Sequence, residues 1–442
     1  MFSSIIDIFK ITELRRRIFF TLGALAIFRL GAAIPLPGVN PEALKTLFDP
    51  ARGGILGFLN IFSGGAMSRL SIFALGIMPY INASIIMSLL QGGHMIPYLD
   101  QLAKEGEMGR RKITQLTRYA TLLIGTIQAI GLTTMIIHTP IRGQELAVTD
   151  TSFRFIFLTV ITLVTGTMFI MWLGEQITEM GIGNGISLLI FAGIVDRLPA
   201  SIGNFFQLLY ADEISFINAL VLVLVITATV IGVVWLETAQ RRITVQYAKR
   251  VIGRRVYGGA SNFLPLKVDT AGVIAVIFAV SLLTLPHTFL QFFPNAEWAN
   301  KISSYWRPGL LLYEILFAGL IIFFCYFYNT IILNPQDLAE NMKKWGGFIP
   351  GIRPGEPTAK YIQYVLERIT LGGALAVVII AILPDLLREW FNAPFYFGGT
   401  TILIAIGVAL DTVGQIESHL LMRHYEGIAK EVKIKGRWFN IR

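Results

Sequence analysis

Long apolar stretches recur along the chain and alternate with short polar segments. A helix needs about 20 mostly apolar residues to cross the hydrocarbon layer of a membrane. The fifth such stretch is short because Asp196 and Arg197 interrupt it, and the second contains Gly76 and Pro79. The pattern predicts an all-α polytopic membrane protein with ten spans, at residues 18–36, 72–91, 119–138, 154–173, 184–199, 215–236, 270–290, 309–333, 367–387 and 395–414.

The amino-acid composition agrees with a membrane protein. Hydrophobic residues make up 54% of the 442 residues and charged residues 15%, whereas soluble domains carry about 25% charged residues. A soluble protein could not bury that much apolar surface without exposing large patches. The same figures exclude disordered, collagen-like and nucleic-acid-binding proteins. The single cysteine, Cys325, cannot form an internal disulfide, so the fold needs no oxidising compartment.

Lysine and arginine are distributed unevenly between the two sides of the predicted membrane. If the N-terminus is cytoplasmic, 27 of the 37 Lys and Arg residues lie in cytoplasmic segments and 9 in external loops. Because cytoplasmic loops of membrane proteins are enriched in basic residues, this bias favours ten spans with both termini in the cytoplasm. The remaining basic residue, Arg29, interrupts the first span, which we therefore interpret as a retained helix rather than a cleaved signal peptide.

The apolar stretch at residues 55–69 is too short to span a membrane and is broken by Gly64 and Gly65. Apolar lengths of about 10–14 residues are typical of re-entrant or buried segments, and glycines let the chain turn towards the following span. A loop on the external membrane surface is the alternative. The physics of these residues alone favours neither interpretation.

Two polar segments, 238–269 and 334–366, carry patterned basic residues. The first alternates Arg with Ile, Val and Tyr, which predicts a projecting two-stranded hairpin with its turn at Gly258–Gly259. Proline and glycine in the second impose a rigid turn that presents Arg353 outward. Such projections suit an acidic partner, either RNA or protein. Contact with anionic lipid is the alternative, but the length and patterning of the first segment favour partner docking.

No residue pattern typical of an active site stands in a plausible context. The sequence lacks a P-loop, a zinc-protease His motif and a Ser/His/Asp grouping there, and its five histidines are scattered. Glu314 and Asp411 lie near predicted helix ends, where a snorkelling or capping role explains them better than proton transfer. We expect no catalytic residue, metal or cofactor. A small-solute transporter and an intramembrane enzyme are the alternatives, but the mid-membrane groups that they need are lacking.

Six motifs are long enough to identify a family. They are FSGGAMSRLSIFALGIMPYINASII (62–86), GEQITEMGIGNGIS (174–187), QRRITVQYAKR (240–250), GRRVYGG (253–259), FIPGIRPGEPTAKYI (348–362) and PFYFGGT (394–400). They resemble the SecY/Sec61-alpha family, the channel-forming subunits of the Sec protein translocon, in its bacterial form. The resemblance implies two inverted pseudo-symmetric halves, residues 1–199 and 200–442, that form a clamshell around a pore. It also implies that residues 55–69 are the plug of that pore.

The resemblance further implies roles for individual residues. A ring of apolar side chains that excludes water from the pore is expected from Ile77, Ile81, Ile190, Ile277 and Ile404. The centre of the plug is expected at Phe62, Ser63, Gly64 and Gly65. The lateral gate, between the second and seventh spans, is expected to carry Asn82 and Gln128. Docking of the SecA motor or the ribosome is expected at Arg241, Arg242, Lys249, Arg250, Arg254, Arg255 and Arg353.

The function implied by the resemblance is passive conduction of unfolded secretory polypeptides, with release of hydrophobic segments into lipid through the lateral gate. Such a channel is not an enzyme, so a partner must supply the energy. The expected partners are SecE and SecG in a heterotrimer, the SecA ATPase, the ribosome, signal peptides and nascent polypeptides, anionic lipids, and also SecDF and YidC. The expected location is the bacterial inner membrane.

Overall fold

Helices account for most of the fold. The computed structural model describes residues 11–40, 44, 60, 63–93, 95–138, 148, 152–212, 215–247, 250–252, 255–257, 261–293, 296–306, 309–391 and 399–431. The helices within these ranges are α1 (Thr12–Ala33), α2 (Met78–Gly92), α3 (Pro97–Lys104), α4 (Glu107–His138), α5 (Phe153–Met180), α6 (Gly185–Tyr210), α7 (Phe216–Thr238), α8 (Gly272–Leu290), α9 (Glu297–Tyr305), α10 (Leu311–Ile332), α11 (Pro335–Lys344), α12 (Glu356–Phe391) and α13 (Gly399–Glu431). The strands are β1 (Gln240–Tyr247), β2 (Arg250–Ile252), β3 (Arg255–Tyr257), β4 (Ser261–Lys267) and β5 (Gly347–Phe348).

Ten of these helices correspond to the ten predicted spans, namely α1, α2, α4, α5, α6, α7, α8, α10, α12 and α13. Within the described ranges, eight of them are long and apolar enough to cross a membrane. The other two are α1, which contains Arg29 and begins with further charged residues, and α2, which has only 15 residues. The chain is therefore a multi-pass membrane protein.

The second predicted span starts at the wrong residue. We predict a helix from residue 72, but α2 begins at Met78, and the residues before it form turns. Gly76 has a φ of +57°, a left-handed conformation that a helix does not contain. Pro79 lies in the first turn of α2, where its missing N–H costs nothing. The apolar composition of residues 72–77 therefore reflects burial rather than helix.

Several helices extend beyond the apolar stretches that predict them. The fifth span is predicted to end at residue 199, yet α6 continues through Pro199 to Tyr210. The predicted division between two halves at residue 199 thus falls inside α6. We use "N-terminal group" for the long helices α1, α2, α4, α5 and α6, and "C-terminal group" for α7, α8, α10, α12 and α13.

The two groups meet along two seams. On one seam, α8 packs against α2 and α4, and on the other, α13 packs against α6. We call these the α2–α8 seam and the α6–α13 seam. One cluster of buried apolar side chains runs through both groups of helices. The space between the groups is therefore closed by packed side chains.

The polar segments at 238–269 and 334–366 fold together into one unit. β1 pairs antiparallel with β4 along its length, which confirms the predicted hairpin, and β5 adds to the other edge of β1. The predicted turn at Gly258–Gly259 lies outside the described residues. β2 pairs antiparallel with β3, with Ile252 opposite Arg255.

A second, smaller cluster of buried side chains holds this polar unit together. It contains residues from β1, β4, α11 and α12 and the residue after β5, namely Ile243, Val245, Leu266, Met342, Ile349, Ile362 and Leu366. Alternate residues of β1 contribute to the cluster while the others face outward, as expected for a sheet with one buried face. The unit is therefore a small domain with its own core.

Candidate functional site

The five isoleucines predicted to form a ring lie near the first residue of a long helix. Ile77 directly precedes α2, and Ile81 lies in its first turn. Ile190, Ile277 and Ile404 each lie five residues after the first residue of α6, α8 and α13. Each side chain is at most 5% exposed, and all five belong to the larger buried cluster. Helices from both groups thus bring branched apolar side chains into one core, as a water-excluding constriction requires.

The predicted plug at residues 55–69 is described only in part. Asn60 and the residues from Ser63 onward are described, whereas Phe62 lies outside the described residues. Asn60, Ser63 and Ala66 are 1%, 4% and 0% exposed. Connecting segments usually run over the surface, so this burial favours a segment folded into the protein over a loop on the membrane surface.

A tight turn around Gly64 and Gly65 gives this segment its shape. The Gly65 N–H donates to the Asn60 carbonyl at 2.9 Å, and the Ser68 N–H donates to Asn60 Oδ1 at 3.0 Å. Gly64 and Gly65 have φ angles of +64° and +82°, which glycine adopts without steric cost. We call the continuous described part of this segment, Ser63–Arg69, the plug turn.

The chain after the plug turn is fixed to the end of α1. The Leu36 N–H donates to the Leu70 carbonyl at 3.0 Å, and the Ile72 N–H donates to the Ile34 carbonyl at 3.1 Å. These two backbone hydrogen bonds hold the base of the plug segment. They also explain why α2 starts late, since the chain here pairs with its neighbour before it enters a helix.

Asn82 and Gln128 come together where α2 and α4 meet α8. They line a cavity of about 30 Å³ with Thr284 and Thr288 of α8 and with Gln291, the residue after α8. Asn82 is 1% exposed, and its Oδ1 has no hydrogen-bond partner within the described part of the chain. A cavity of this size and polarity has room for water. The α2–α8 seam therefore contains a polar pocket within an otherwise apolar contact.

Few hydrogen bonds cross the α2–α8 seam. Within the described residues, one such contact joins the two helices, from Ser281 Oγ to Met78 Sδ at 3.9 Å. The hydroxyl groups of Thr284 and Thr288 donate instead to carbonyl oxygens of α8 itself, at 2.7 and 3.1 Å. The seam is closed mainly by apolar packing, which another apolar helix could replace.

The α6–α13 seam is held differently. Gln415 of α13 accepts a hydrogen bond from the Gly183 N–H at 2.8 Å, in the turn between α5 and α6. The same turn is held by Thr21 of α1, whose Oγ1 accepts from the Ile182 N–H at 3.1 Å. A hydrogen bond to the backbone thus joins the two groups here, whereas the described contact between α2 and α8 is a longer one to sulfur.

The sequence model of the SecY family matches residues 71–413, most of the chain. The chain belongs to the SecY family. The protein translocase subunit SecY of Escherichia coli (strain K12) is 48% identical over 427 residues, which cover 96% of this chain and 96% of that protein. The resemblance predicted from the six motifs is confirmed.

Solved structures of SecY family channels share the fold. One is a SecY protein whose plug domain stabilises the closed state of the translocation channel and maintains a membrane seal. Its TM-score is 0.66 at 17% identity, over 91% of this chain and 92% of that one. Sec61 in the canine ribosome–channel complex from the endoplasmic reticulum has a TM-score of 0.62 at 16% identity, over the same shares of the two chains. The predicted all-α fold in two halves is confirmed, while the roles of single residues stay predictions.

The polar unit presents only some of the basic residues that we expect to dock partners of a SecY family channel. Arg241, Arg242 and Arg353 are exposed. The Arg353 backbone is held in place because Thr358 Oγ1 donates to its carbonyl at 2.8 Å. The remaining predicted docking residues are less completely described. Arg250 and Arg255 lie in β2 and β3 by their backbone only, and Lys249 and Arg254 lie outside the described residues.

The junction between the polar unit and α8 is a buried acidic cap. Asp269 Oδ1 accepts from the Gly272 N–H at 2.7 Å, at the first residue of α8. Burial raises the pKa of the Asp269 carboxyl, while the Gly272 N–H and Lys267 act in the opposite direction. The helix that forms one side of the α2–α8 seam is thus tied to the polar unit at its start.

Glu314 and Asp411, which are predicted to snorkel or to cap near helix ends, differ in their positions along their helices. Glu314 Oε1 accepts from the Gly309 N–H at 2.9 Å at the start of α10, so its capping is confirmed. Asp411 is exposed inside α13, which continues to Glu431, so its predicted position near a helix end is wrong. The helix outlasts the apolar stretch because polar residues with good helix propensity follow it. Among the described residues, no group of three or more His, Cys, Asp or Glu could hold a metal ion.

Two charged residues next to the plug turn are the main feature that the sequence does not reveal. Arg29 Nη2 lies 2.6 Å from Asp196 Oδ2, and Arg29 Nη1 donates to the Gly64 carbonyl at 3.0 Å. In the sequence, both charges are visible only as interruptions of apolar stretches. An ionisable residue within a span is a signal of function, but no local pattern in the sequence connects Arg29 to Asp196.

Proposed function

We propose that this chain is the pore-forming subunit of a protein translocase. It conducts unfolded secretory polypeptides across a membrane and releases hydrophobic segments into the lipid. One observation carries the proposal: five isoleucines from helices of both groups lie buried in one apolar cluster, in a chain that belongs to the SecY family. A passive channel of this kind needs no catalytic residues.

The closed passage is sealed in two layers. The five isoleucines form a narrow apolar collar, because a constriction lined by branched apolar groups excludes water and therefore ions. The plug turn adds a second layer next to α6, the helix that carries Ile190. Such a seal resists ions without binding any polypeptide sequence tightly, so an extended chain can pass once it opens.

The α2–α8 seam is the lateral gate. An apolar signal or membrane segment of about 20 residues gains many kcal/mol when it moves from water into lipid. Its contacts can replace the apolar packing between α2 and α8, since few hydrogen bonds have to be broken. Asn82 and Gln128 influence the free energy of separating α2 from α8. When the helices part, the surroundings of their polar pocket become either more aqueous or more apolar. Polar segments stay in the aqueous path and cross to the far side.

The energy for transport comes from a partner. A Sec61 relative is part of a ribosome–channel complex, and exposed arginines of the polar unit suit the acidic surface of a ribosome. We propose the ribosome and the SecA ATPase as alternating partners at this unit. We further propose SecE and SecG as subunits of one complex, the bacterial inner membrane as the location, and cytoplasmic positions for both termini.

Photo-cross-linking of a stalled secretory chain tests the translocase function directly. A photoreactive amino acid at Ile81 or Ile277 is expected to cross-link to the chain, because both residues line the proposed passage. The matched control is Leu224 of α7, which is 66% exposed on the outer face of the helix bundle. Cross-linking at Leu224 but not at the two isoleucines would place the polypeptide outside the helix groups and refute the proposal.

Charge reversal at Arg353 tests the docking surface. Arg353→Glu is expected to weaken binding of SecA or ribosomes by roughly tenfold, because a well-placed interface arginine contributes more than 1 kcal/mol. Affinity is measured on the channel reconstituted in vesicles. The control is Arg368→Glu on α12, an exposed arginine that stacks on Tyr364. Equal affinities of Arg353→Glu and the parent channel would remove the docking role.

A further inference from the structure

Arg29 connects three parts of the protein at one point. It lies on α1, its Nη2 pairs with Asp196 of α6 at 2.6 Å, and its Nη1 donates to the Gly64 carbonyl of the plug turn at 3.0 Å. Both side chains are partly shielded, with 40% of Arg29 and 30% of Asp196 exposed. A charge-assisted hydrogen bond to a carbonyl is stronger than a neutral one. Arg29 therefore holds the plug turn more firmly than packing alone.

The plug turn is shaped to fit the face of α6 next to Asp196. A Cβ added to Gly64 would lie 2.9 Å from the Gly193 Cα, and a Cβ added to Gly65 would lie 2.9 Å from Arg197 Nη2. Gly193, Asp196 and Arg197 share one helix face because they are three and four residues apart. The turn is therefore seated on α6, one helical turn beyond Ile190 of the proposed ring.

The plug turn is held in two different ways. At its base, the chain directly after Arg69 is tied to the end of α1 by the two backbone hydrogen bonds of Leu70 and Ile72. At Gly64, which we call its tip, the turn is held by a side chain, and Arg29 can release the Gly64 carbonyl while keeping its ion pair with Asp196. Neither charge is then left unpaired in a shielded site, which would be costly. The arrangement separates a fixed base from a releasable tip.

We propose that Arg29 and Asp196 form a latch that holds the plug turn in the closed channel. This inference rests on the proposed function, in which residues 55–69 seal the passage. Asp196 positions and neutralises Arg29, and Arg29 holds the Gly64 carbonyl. Opening breaks one hydrogen bond and leaves the ion pair intact, so the latch sets the ratio of closed to open plug without blocking movement.

The test uses the full-length channel with Ala66→Cys as a reporter of plug movement. Ala66 is fully buried, so a thiol there reacts with a charged maleimide only when the plug leaves its seat. The test variant is Arg29→Met with Asp196→Met, which removes both charges together. The control is Arg118→Met with Glu175→Met, because these side chains form another ion pair between two long helices, at 2.7 Å. Arg29→Lys is a milder second variant, since a single ammonium group lacks the planar fork of two donor arms.

We expect the test variant to label about tenfold faster than the parent, which corresponds to ~1.4 kcal/mol and to the loss of one charged hydrogen bond. Resting ion conductance should rise in parallel, the control should match the parent, and Arg29→Lys should fall between them. Unchanged labelling and conductance in the test variant would overturn the latch.

Deleting residues 57–66 separates failure of the latch from failure of the proposed plug. If the deletion leaks ions but the test variant does not, the plug stands and the latch is wrong. If the deletion itself remains tight, the plug assignment fails, and the latch with it. If the test variant adds further leak to the deletion, Arg29 and Asp196 support the pore wall instead, which also overturns the latch.

Discussion

Replacing Ile190 and Ile404 with serine is expected to make the resting channel leak ions. The two side chains are 1% and 0% exposed and come from opposite groups of helices. Serine removes apolar volume and adds a hydroxyl, so water enters the constriction and ions follow it. We expect resting conductance in planar bilayers to rise by more than about tenfold, because both sides of the proposed collar lose their apolar surface together.

Two controls separate a leaking seal from a destabilised protein. Ile190→Val with Ile404→Val keeps branched apolar side chains and costs only about 0.5–1.5 kcal/mol per site, so it should remain tight. Ile231→Ser on α7, where Ile231 is 63% exposed on the outer face, should also remain tight. If the double serine variant is as tight as the valine variant, the five isoleucines are core residues and not a pore ring.

Locking the α2–α8 seam is expected to stop transport almost completely. Cysteines at Met78 and Ser281, whose side chains approach to 3.9 Å, can be joined by a short thiol-specific linker in a background with Cys325→Ala. A helix with its side chains is about 10–12 Å across. A seam that cannot widen by that amount cannot admit a signal segment, so both transport and lateral release should fail.

The linkage experiment measures the transport of a secretory protein into vesicles. Each single-cysteine variant treated with the same linker controls for chemical modification, and cleavage of a cleavable linker should restore transport. Continued transport and membrane insertion with the seam quantitatively linked would show that polypeptides leave by another route. The lateral gate would then have to be sought elsewhere, and the α6–α13 seam would be the next candidate.

Much of the helical architecture could be predicted from the sequence. The apolar stretches locate all ten long helices, and the alternation of basic and apolar residues at 238–269 locates a hairpin. Both signals are local, because burial in lipid needs a continuous apolar stretch and a half-buried strand needs a period of two. Errors occur where local signals compete, as at residues 72–77, which are apolar and mostly buried without being helical; Phe73, for example, packs on Phe28 of α1 and Phe169 of α5.

The candidate site was predictable only through the family motifs. An isoleucine within a span usually faces lipid or a neighbouring helix, so hydrophobicity alone could not single out Ile190 or Ile404 from many similar residues. Asn82 and Gln128 are polar residues in apolar spans, which marks them as unusual. That they share a pocket with α8 is a fact of packing between distant parts of the chain.

The sequence by itself determined that this is a multi-pass α-helical membrane protein, where its helices lie, and which family it belongs to. Only the tertiary structure decided which charges meet, which contacts cross each seam, and where the plug turn is seated. The physical reason is the range of the interactions. Hydrophobic periodicity and turn chemistry act over a few neighbouring residues, whereas Arg29 finds Asp196 and Gly64 only after three separate segments have packed together.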